Sequence, residues 1–534
     1  MQPTNQTIHN PILPGFQPDP SFVRVGEDYY IATSTFEWFP GVQIHHSRDL
    51  VHWELLPQPL TRTEQLDLRG IPSSGGVWAP ALSYFDGLFY LLYTNVGARK
   101  SVYKDLRNYL VTAENINGPW SDPIFLNGSG FDPYLFHDSD GTKWVLNMQW
   151  DFRDNHKRFG GIVMQQYDPR QQKLVGPVNT IYKGTDIGVT EGPQLFQKGG
   201  YYYLLVAEGG TGANHAATLA RSRHIEGPYE TDPDYPIMTT RSDPDYPLQN
   251  AGHGSLVETH TGEWYMAHIC SRPFEGTKLN PLGRETSIQR CRWTEDGWLR
   301  LDHEGRLPAL TVPAPQFAQE TQAFPARTEK DDFNTEELDH VYQTLRVPAD
   351  PSWLSLTERP GYLRLHGRES LLSWHRQSMV ARRLRHFRCT AETRMEYDPE
   401  HFMQMAGLVF YYDEADYYYL RVTQDDERGR VLGVVRSKAG KYEESRQLEI
   451  NVDTWESFYL RAIVRDRELR FFASPDGDTW HTVSDTLDIG TLSDEYGGKL
   501  GFTGTMIGLC AQDLNGGMKH ADFDYFIYRP FLEE

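Results

Sequence analysis

The segment Gly130-Phe131-Asp132-Pro133-Tyr134-Leu135-Phe136 decides the fold, because its pattern occurs five times in the chain. Each copy has a small or acidic residue, usually a proline next, then two or three apolar residues, a polar Gly or Asp turn, and a second run rich in aromatic residues. This pattern predicts a β-hairpin. The five copies begin at Asp19, Ala79, Asp132, Gly192 and His253.

The spacing of these copies predicts how the hairpins are arranged. Their first residues are 60, 53, 60 and 61 positions apart. A repeat of that length holds the two strands of the hairpin and has room for two more, which is the size of one propeller blade. Convincing 3.6-residue periodicity is missing from long windows, so the sequence predicts an all-β protein that begins with a five-bladed β-propeller.

A second domain is expected because 534 residues are too many for one compact core. Residues 316–330 are rich in Ala, Gln, Glu and Thr and lack strand alternation, which indicates a linker. Alternating strands continue after it without the blade pattern, for example at residues 362–365 and 458–462. We therefore predict a β-propeller over residues 1–325 and a β-sandwich, jelly-roll-like accessory domain over residues 326–534.

Composition and charge exclude several classes of partner. The chain has 73 acidic and 52 basic residues and a formal net charge of −21, which disfavours nucleic acid and anionic membranes. No apolar run approaches the ~20 residues that span a bilayer, and the N-terminus lacks the pattern of a secretion signal. Four cysteines lie far apart without metal-ligand spacing. We therefore expect a soluble, cytoplasmic protein.

Propeller geometry brings the starts of the five repeats together. The innermost strand of each blade runs along the propeller axis, so residues at or just before these starts converge on one central region. The converging set is Asp19, Ala79, Asp132, Glu191 and His253. Three carboxylates at such a place raise one another's pKa and destabilise the fold. A chemical role therefore explains them better than three separate turn caps.

Carboxylates that meet in this way can hydrolyse a glycosidic bond. An acid protonates the departing oxygen, and a carboxylate on the other side of the ring acts as nucleophile or as base toward water. With Glu191 as the acid, a negative Asp132 would keep its proton bound near neutral pH, while Asp19 stays ionised if it lies closer to a cation. A catalytically silent sugar-binding propeller is the alternative, which the acidic trio disfavours.

Three segments resemble the signature segments of glycoside hydrolase family 43. They are Pro14-Gly15-Phe16-Gln17-Pro18-Asp19-Pro20-Ser21, Gly130-Phe131-Asp132-Pro133 and Thr190-Glu191-Gly192-Pro193. The similarity to the β-xylosidase branch of that family extends over nearly the whole chain. It implies an inverting hydrolase in which Asp19 is the base that activates water, Glu191 is the acid, and Asp132 orients the acid and raises its pKa.

The same resemblance implies substrate-binding roles for five further residues. It places Arg284 against sugar hydroxyls in the innermost subsite, and Phe36 and Trp78 in the aromatic walls. Met506 belongs to a sandwich loop that reaches the pocket rim in this branch, at a position where some relatives carry an aromatic residue. For His253, near the axis, a metal ligand, a water-bridging residue and a core histidine all stay open. No cofactor is required, and a central calcium ion stays open as well.

The sequence thus predicts an exo-acting inverting β-D-xylosidase that releases xylose from the non-reducing end of short xylo-oligosaccharides. Secondary α-L-arabinofuranosidase activity is an additional expectation, and a predominant α-L-arabinofuranosidase is the close alternative. The resemblance also implies a homo-oligomer of two or four chains. Neither nucleic acid nor membrane is expected as a partner.

Overall fold

The first domain is a five-bladed β-propeller, which confirms the prediction from the repeats. In the computed structural model, which describes residues 6–320, 324 and 327–531, five antiparallel sheets follow one another along the chain, and four strands of each lie side by side in chain order. Each predicted hairpin forms the first two strands of one blade. Residues 1–5 and the predicted domain boundary between residues 325 and 326 lie outside the described residues.

The propeller strands follow in chain order. They are β1 (Thr7–His9), β2 (Ser21–Val25), β3 (Asp28–Thr33), β4 (Trp38–Phe39), β5 (Gln43–Ser47), β6 (Glu54–Leu55), β7 (Gly76–Phe85), β8 (Leu88–Val96), β9 (Leu106–Ala113), β10 (Ile124–Asn127), β11 (Gly130–His137), β12 (Lys143–Trp150), β13 (Phe159–Asp168), β14 (Lys173–Tyr182), β15 (Glu191–Lys198), β16 (Tyr201–Glu208), β17 (Ala216–Ser222), β18 (Glu230–Thr231), β19 (Met238–Thr239), β20 (Gln249–Glu258), β21 (Trp264–Ser271), β22 (Glu285–Trp293), β23 (Leu299–Leu301) and β24 (Thr311–Pro313).

The blades have the orders β2-β3-β5-β6, β7-β8-β9-β10, β11-β12-β13-β14, β15-β16-β17-β18 and β20-β21-β22-β23. The short strand β19 adds to β17 in the fourth blade. β1 pairs with β24, which joins the beginning of the propeller chain to its end. This pairing holds the first and fifth blades next to each other.

The repeated segment forms the innermost strand, and a β-bulge interrupts that strand in blades two to five. The pairing register shifts between Trp78 and Ala81, Phe131 and Tyr134, Glu191 and Gln194, and Gly252 and Ser255. At these places Ala79, Asp132, Gly192 and His253 have φ values of 35°, 55°, 55° and 50°, and Asp19 before β2 has 57°. Bulges redirect side chains, and left-handed non-glycine residues carry backbone strain. The strain is concentrated at the propeller centre.

The second domain is a β-sandwich of two antiparallel sheets. Its strands are β25 (Lys330–Asp331), β26 (Gln343–Leu345), β27 (Leu354–Ser355), β28 (Leu363–His366), β29 (Ser378–Arg383), β30 (Arg388–Glu396), β31 (Gln404–Asp413), β32 (Asp416–Asp425), β33 (Gly429–Lys438), β34 (Lys441–Glu444), β35 (Ile450–Asn451), β36 (Phe458–Arg465), β37 (Glu468–Ser474), β38 (His481–Thr482), β39 (Leu487–Asp488), β40 (Met506–Asp513) and β41 (His520–Pro530). Short 3₁₀ turns lie at Gln316–Glu320, Arg446–Leu448, Ile489–Thr491 and Tyr496–Gly498.

One sheet of the sandwich has the order β27-β28-β41-β30-β36-β37-β38, with β25 on β41 and β39 on β37. The other has the order β34-β33-β32-β31-β40-β29-β26-β4, with β35 on β33. Alternating apolar side chains of both sheets meet in a buried core between them. Among the described residues we find no helix whose length and apolarity would let it cross a lipid bilayer.

The strand β4 joins the two domains, because it belongs to the propeller chain and pairs with β26 of the sandwich. Phe39 pairs with Thr344, and Trp38 pairs with Leu345. Trp38 is fully buried and packs edge-on against Tyr411 of the sandwich. Apolar residues of both domains form one shared core cluster around these rings. The sandwich is thereby held beside the centre of the propeller.

Candidate active site

A pocket of about 300 Å³ lies at the centre of the propeller and is bounded by a loop of the sandwich. Seven of the eight residues predicted from the sequence line it: Asp19, Phe36, Trp78, Asp132, Glu191, His253 and Arg284. The repeats therefore do bring carboxylates from distant parts of the chain into one site. All three carboxylates are buried, with less than a tenth of each residue exposed.

The neighbours of Asp19 favour its ionised form. Arg284 Nη1 donates to Asp19 Oδ1 at 3.1 Å, and Ser34 Oγ donates to Asp19 Oδ2 at 2.5 Å. His253 Nδ1 lies 3.8 Å from Asp19 Oδ1. Burial raises the pKa of Asp19, but Arg284, His253 and Ser34 outweigh burial and hold this pKa below its ordinary value. Asp19 is therefore a carboxylate near neutral pH and can accept a proton.

The surroundings of Glu191 and Asp132 favour the protonated forms of these two carboxyls. Burial raises the pKa of Glu191 well above its ordinary value, and the charges of Asp132 and Asp19 raise it further. Burial and Asp19 also raise the pKa of Asp132, although the Gly192 N–H donates to its Oδ2 at 3.0 Å. The two carboxyls titrate as a coupled pair. This pair keeps a proton near neutral pH while Asp19 is ionised.

Arg284 connects the carboxylates to the sandwich loop. Its Nη2 donates to the carbonyl oxygen of Phe502 at 3.3 Å, and its guanidinium lies 5.3 Å from the centre of that ring. Gly283, directly before it, has φ 75°, and a Cβ there would lie 2.5 Å from the Thr503 carbonyl oxygen. Glycine is required at this position because the loop approaches so closely. The sandwich loop thus depends on the segment that carries Arg284.

Aromatic rings from both domains form the walls of the pocket. Phe502 stacks on Phe36 with ring centres 6.2 Å apart and meets Trp78 edge-on at 5.3 Å. Phe131 packs edge-on against Trp78 at 5.4 Å. Ser74 fixes two of these walls, because its Oγ accepts from the Phe502 N–H at 3.1 Å and its carbonyl accepts from Trp78 Nε1 at 2.9 Å. Such walls exclude water and suit the apolar face of a sugar ring.

Buried charges beneath this wall position Ser74. Glu37 Oε2 accepts a hydrogen bond from the Ser74 N–H at 2.9 Å, and burial raises the pKa of Glu37 to about 7. Arg346 of the sandwich donates to the carbonyl of Ile71 at 2.7 Å and to the hydroxyl of Ser73 at 3.1 Å. Both domains therefore hold the segment that leads to Trp78.

The structure corrects the expectation for Met506, which does not line the pocket. Met506 is fully buried in the core shared by the domains, where it begins β40 and pairs with Tyr411. The loop toward the pocket ends before this strand, and its lining residues are Leu500 and Phe502. The aromatic residue between two glycines in Gly501-Phe502-Thr503-Gly504 is the sequence signal that pointed to the right position.

Nine further described residues line the pocket without having been predicted from the sequence. They are Lys104, Phe131, Trp150, Phe159, Val189, Gly210 and Thr211, together with Leu500 and Phe502. Lys104 Nζ lies 4.6 Å from the centre of the Trp150 ring, and burial lowers its pKa. Phe131 could have been inferred from the sequence, since it directly precedes Asp132 in the repeated segment.

A small cavity of about 30 Å³ continues along the propeller axis and is lined by the repeated segments of all five blades. This space holds about one water molecule. His253 lines both cavities, and burial lowers its pKa, so it is neutral. Calcium takes six to eight oxygen ligands, whereas the described residues contain no metal-binding group of three or more His, Cys, Asp or Glu. A central calcium ion therefore stays a prediction.

Two family models match consecutive parts of the chain. Residues 8–299 match "Glycosyl hydrolases family 43", and residues 330–529 match "Beta xylosidase C-terminal Concanavalin A-like domain". The chain belongs to glycoside hydrolase family 43. It is therefore a glycoside hydrolase rather than a silent sugar-binding propeller, and its sandwich is of the concanavalin A-like type.

Similar proteins and structures cover the chain almost completely. The beta-xylosidase of Bacillus subtilis (strain 168) is 48% identical over 533 residues, which cover 98% of this chain and 99% of that protein. Xylosidase/arabinosidase 43B of Humicola insolens is 47% identical over 531 residues, which cover 98% of each chain. The crystal structure of xylan beta-1,4-xylosidase from Bacillus halodurans C-125 superposes with a TM-score of 0.96 at 56% identity, covering 98% of this chain and 100% of that chain.

Proposed function

We propose that this glycoside hydrolase is an exo-acting β-D-xylosidase that releases xylose from the non-reducing end of short xylo-oligosaccharides. The observation that carries the proposal is the contrast between two carboxyls in one pocket. Arg284 holds the pKa of Asp19 low, whereas burial and Asp132 raise the pKa of Glu191. Such a pair supplies a base and an acid at the same pH. The names of the similar proteins support a pentose as substrate.

In the proposed reaction the sugar is displaced once, with inversion. Glu191 donates its proton to the glycosidic oxygen as the bond to the anomeric carbon breaks. Asp19 takes a proton from a water molecule, whose oxygen attacks that carbon from the opposite face. Asp132 keeps the proton on Glu191 beforehand, and Arg284 maintains the charge of Asp19. Exchange with solvent then restores both groups, so the reaction requires no cofactor.

The shape of the site supports action at a chain end. Phe502 and Leu500 of the sandwich cover one side of a pocket whose other walls come from the propeller. The aromatic rings at Phe36 and Trp78 suit the flat face of a single pentose. A terminal sugar can enter such a pocket, whereas a continuous polymer needs an open groove. We assign Phe36, Trp78, His253 and Arg284 to the subsite of that terminal sugar.

A predominant α-L-arabinofuranosidase is the second candidate, because Humicola insolens xylosidase/arabinosidase 43B is so similar. The two pentoses present similar hydroxyl groups to the same walls. Measuring kcat/KM on an aryl β-D-xyloside and on an aryl α-L-arabinofuranoside separates the candidates. We expect the xyloside to be preferred and the arabinofuranoside to be cleaved more slowly.

Proton NMR of the first product tests the mechanism. With xylobiose as substrate, we expect α-xylose to form first and then to equilibrate with the β-anomer. Initial β-xylose would refute inversion. Release of pentose from long xylan alone, with xylobiose left intact, would refute exo action.

Two further parts of the proposal concern the setting of the enzyme. We propose a cytoplasmic location, since short oligomers can be imported while long xylan cannot enter a cell. The cysteines support a reducing compartment, because all four are buried free thiols. We also propose a homo-oligomer of two or four chains, which sedimentation analysis of the purified protein tests.

A further inference from the structure

A second cavity, of about 670 Å³, lies between the propeller and the sandwich. It shares no lining residue with the catalytic pocket. The propeller contributes Gln43 and His45 of β5, and the sandwich contributes Val341, Arg383 and Arg385. The cavity is therefore a separate space that exists only because the two domains pack together.

Arg383 is buried beside this cavity, and no acidic residue in the described part of the chain pairs with it. Only 4% of the residue is exposed. Its Nε donates to the carbonyl oxygen of Phe16 at 2.5 Å, and its Nη1 donates to Gln343 Oε1 at 2.6 Å. Both acceptors are neutral. Its Nη2 is buried and has no hydrogen-bond partner among the described residues.

The other charges around the cavity do not compensate Arg383. Arg385 is partly buried, and none of the ion pairs found among the described residues includes it. Arg327 pairs with Asp339, and Glu54 accepts a hydrogen bond from His46 Nδ1 at 3.0 Å. The two acids that line the cavity are thus already engaged. Among the described residues, Arg383 therefore has no counter-charge, and Arg385 forms no ion pair and has only Glu285 as an acidic neighbour.

The lowered pKa values of Arg383 and His45 reflect how unfavourable a further positive charge is at this place. Burial and the neighbouring Arg385 lower the pKa of Arg383 to about 9. Burial and three nearby arginines hold the pKa of His45 well below its ordinary value, so His45 is neutral. Its Nδ1 is buried and unpartnered among the described residues. A buried cation without a counter-charge is unfavourable unless an anion accompanies it.

We propose that this interdomain cavity binds a small oxyanion, which the guanidinium groups of Arg383 and Arg385 hold, with His45 as a further polar contact. Arginine presents parallel N–H groups that match the oxygens of a phosphate or a carboxylate. Inorganic phosphate and the carboxylate of a sugar acid such as glucuronate share this chemistry. The site lies apart from the carboxylates of catalysis, so the ligand is neither substrate nor product of the hydrolysis.

Calorimetric titration of the full chain tests the proposal. Sodium phosphate and sodium glucuronate are titrated separately at matched ionic strength into the wild type, R385Q, R385K and R382Q. Arg382 is the matched control, because it neighbours the site in sequence but its guanidinium lies over the Tyr528 ring and does not line the cavity. We expect one bound anion per chain, an affinity about tenfold or more weaker in R385Q, and a smaller loss in R385K. R382Q removes a charge near Arg385 from outside the cavity, so its affinity should fall by no more than about twofold.

The two anions distinguish the source of the ligand. Binding of phosphate alone identifies a phosphate site, and binding of glucuronate alone identifies a site for a sugar acid. Failure of both anions to bind, or equal affinities in the wild type and R385Q, overturns the proposal. Should R385Q not fold, anomalous diffraction from wild-type crystals soaked in tungstate replaces it. Tungstate between Arg383 and Arg385 supports the site, whereas tungstate only elsewhere overturns it.

Discussion

The propeller and the sandwich contribute different chemistry to one pocket. Every charged lining residue, including the three carboxylates and Arg284, comes from the propeller. Of the described sandwich residues, only Leu500 and Phe502 line the pocket, and both are apolar. The groups proposed to transfer protons therefore lie in the propeller alone, whereas both domains supply apolar walls for the sugar. Variants of the propeller carboxyls should mainly change kcat, and variants of the sandwich loop should mainly change binding of the substrate.

The largest effects are expected at the two carboxyls that transfer protons, and in D19A the attacking water has no base. We expect kcat on xylobiose to fall by about 10²- to 10⁴-fold. Steady-state kinetics measure this fall, and circular dichroism checks that the variant is folded. D86N is the control, since Asp86 is an exposed turn residue that does not line the pocket. A D19A rate equal to that of the wild type would reject the mechanism.

Replacing the acid should have an effect that depends on the leaving group. In E191Q we expect kcat on xylobiose to fall by about 10²- to 10⁴-fold, because the sugar leaving group needs protonation. An aryl xyloside whose phenol leaving group is acidic needs less protonation, so its kcat should fall much less in E191Q. Rates with a series of phenols measure this difference. An equal loss on all substrates would contradict the assignment of Glu191 as the acid.

The dependence of activity on pH should reflect the raised pKa of the Asp132 and Glu191 pair. Activity requires an ionised Asp19 and a protonated Glu191, so it falls at low pH as Asp19 gains a proton and at high pH as the pair loses one. D132N removes a negative neighbour that raises the pKa of Glu191. The alkaline limb should then move to lower pH by about one unit. A profile of kcat/KM against pH tests this, and an unmoved or upward-shifted alkaline limb contradicts it.

Two variants of the sandwich test whether a residue belongs to the pocket wall or to the core shared by the domains. F502A should lower kcat/KM about tenfold, mainly through a higher KM, because one aromatic wall is lost. M506A should leave the kinetics of the folded enzyme nearly unchanged, yet lower the free energy of unfolding by about 2 to 5 kcal/mol, since it leaves a cavity in the shared core. For both variants, steady-state kinetics measure kcat and KM, and urea unfolding measures the free energy of unfolding. A raised KM in M506A with an unchanged free energy of unfolding would instead indicate that Met506 contacts the substrate.

The smallest effect is expected for removal of metal ions. Dialysis against EDTA should leave kcat/KM unchanged, because the proposed proton transfers use only side chains. Re-addition of calcium is the control. A loss of activity that calcium alone restores would show that an ion at the axis takes part.

The repeats made the propeller and its carboxylates predictable for a physical reason. Each blade has a left-handed residue next to the axis, and a proline follows that residue in four of the five blades, so the pattern recurs along the sequence. Trp150, at the end of β12, and Phe159, at the start of β13, belong to no such repeated segment. Phe502 was missed because its position follows from the approach of the sandwich loop to Gly283, which involves residues more than 200 positions apart. Sequence alone does not give that distance.

The strand β4 has a consequence for the stability of the whole enzyme. Its two residues complete a sheet of the other domain, so cutting the chain in the linker would expose a sheet edge and the buried Trp38. The separate halves should therefore aggregate when produced alone. In the intact chain, unfolding of one domain should cause the other to unfold. Scanning calorimetry should therefore record a single heat-absorption peak.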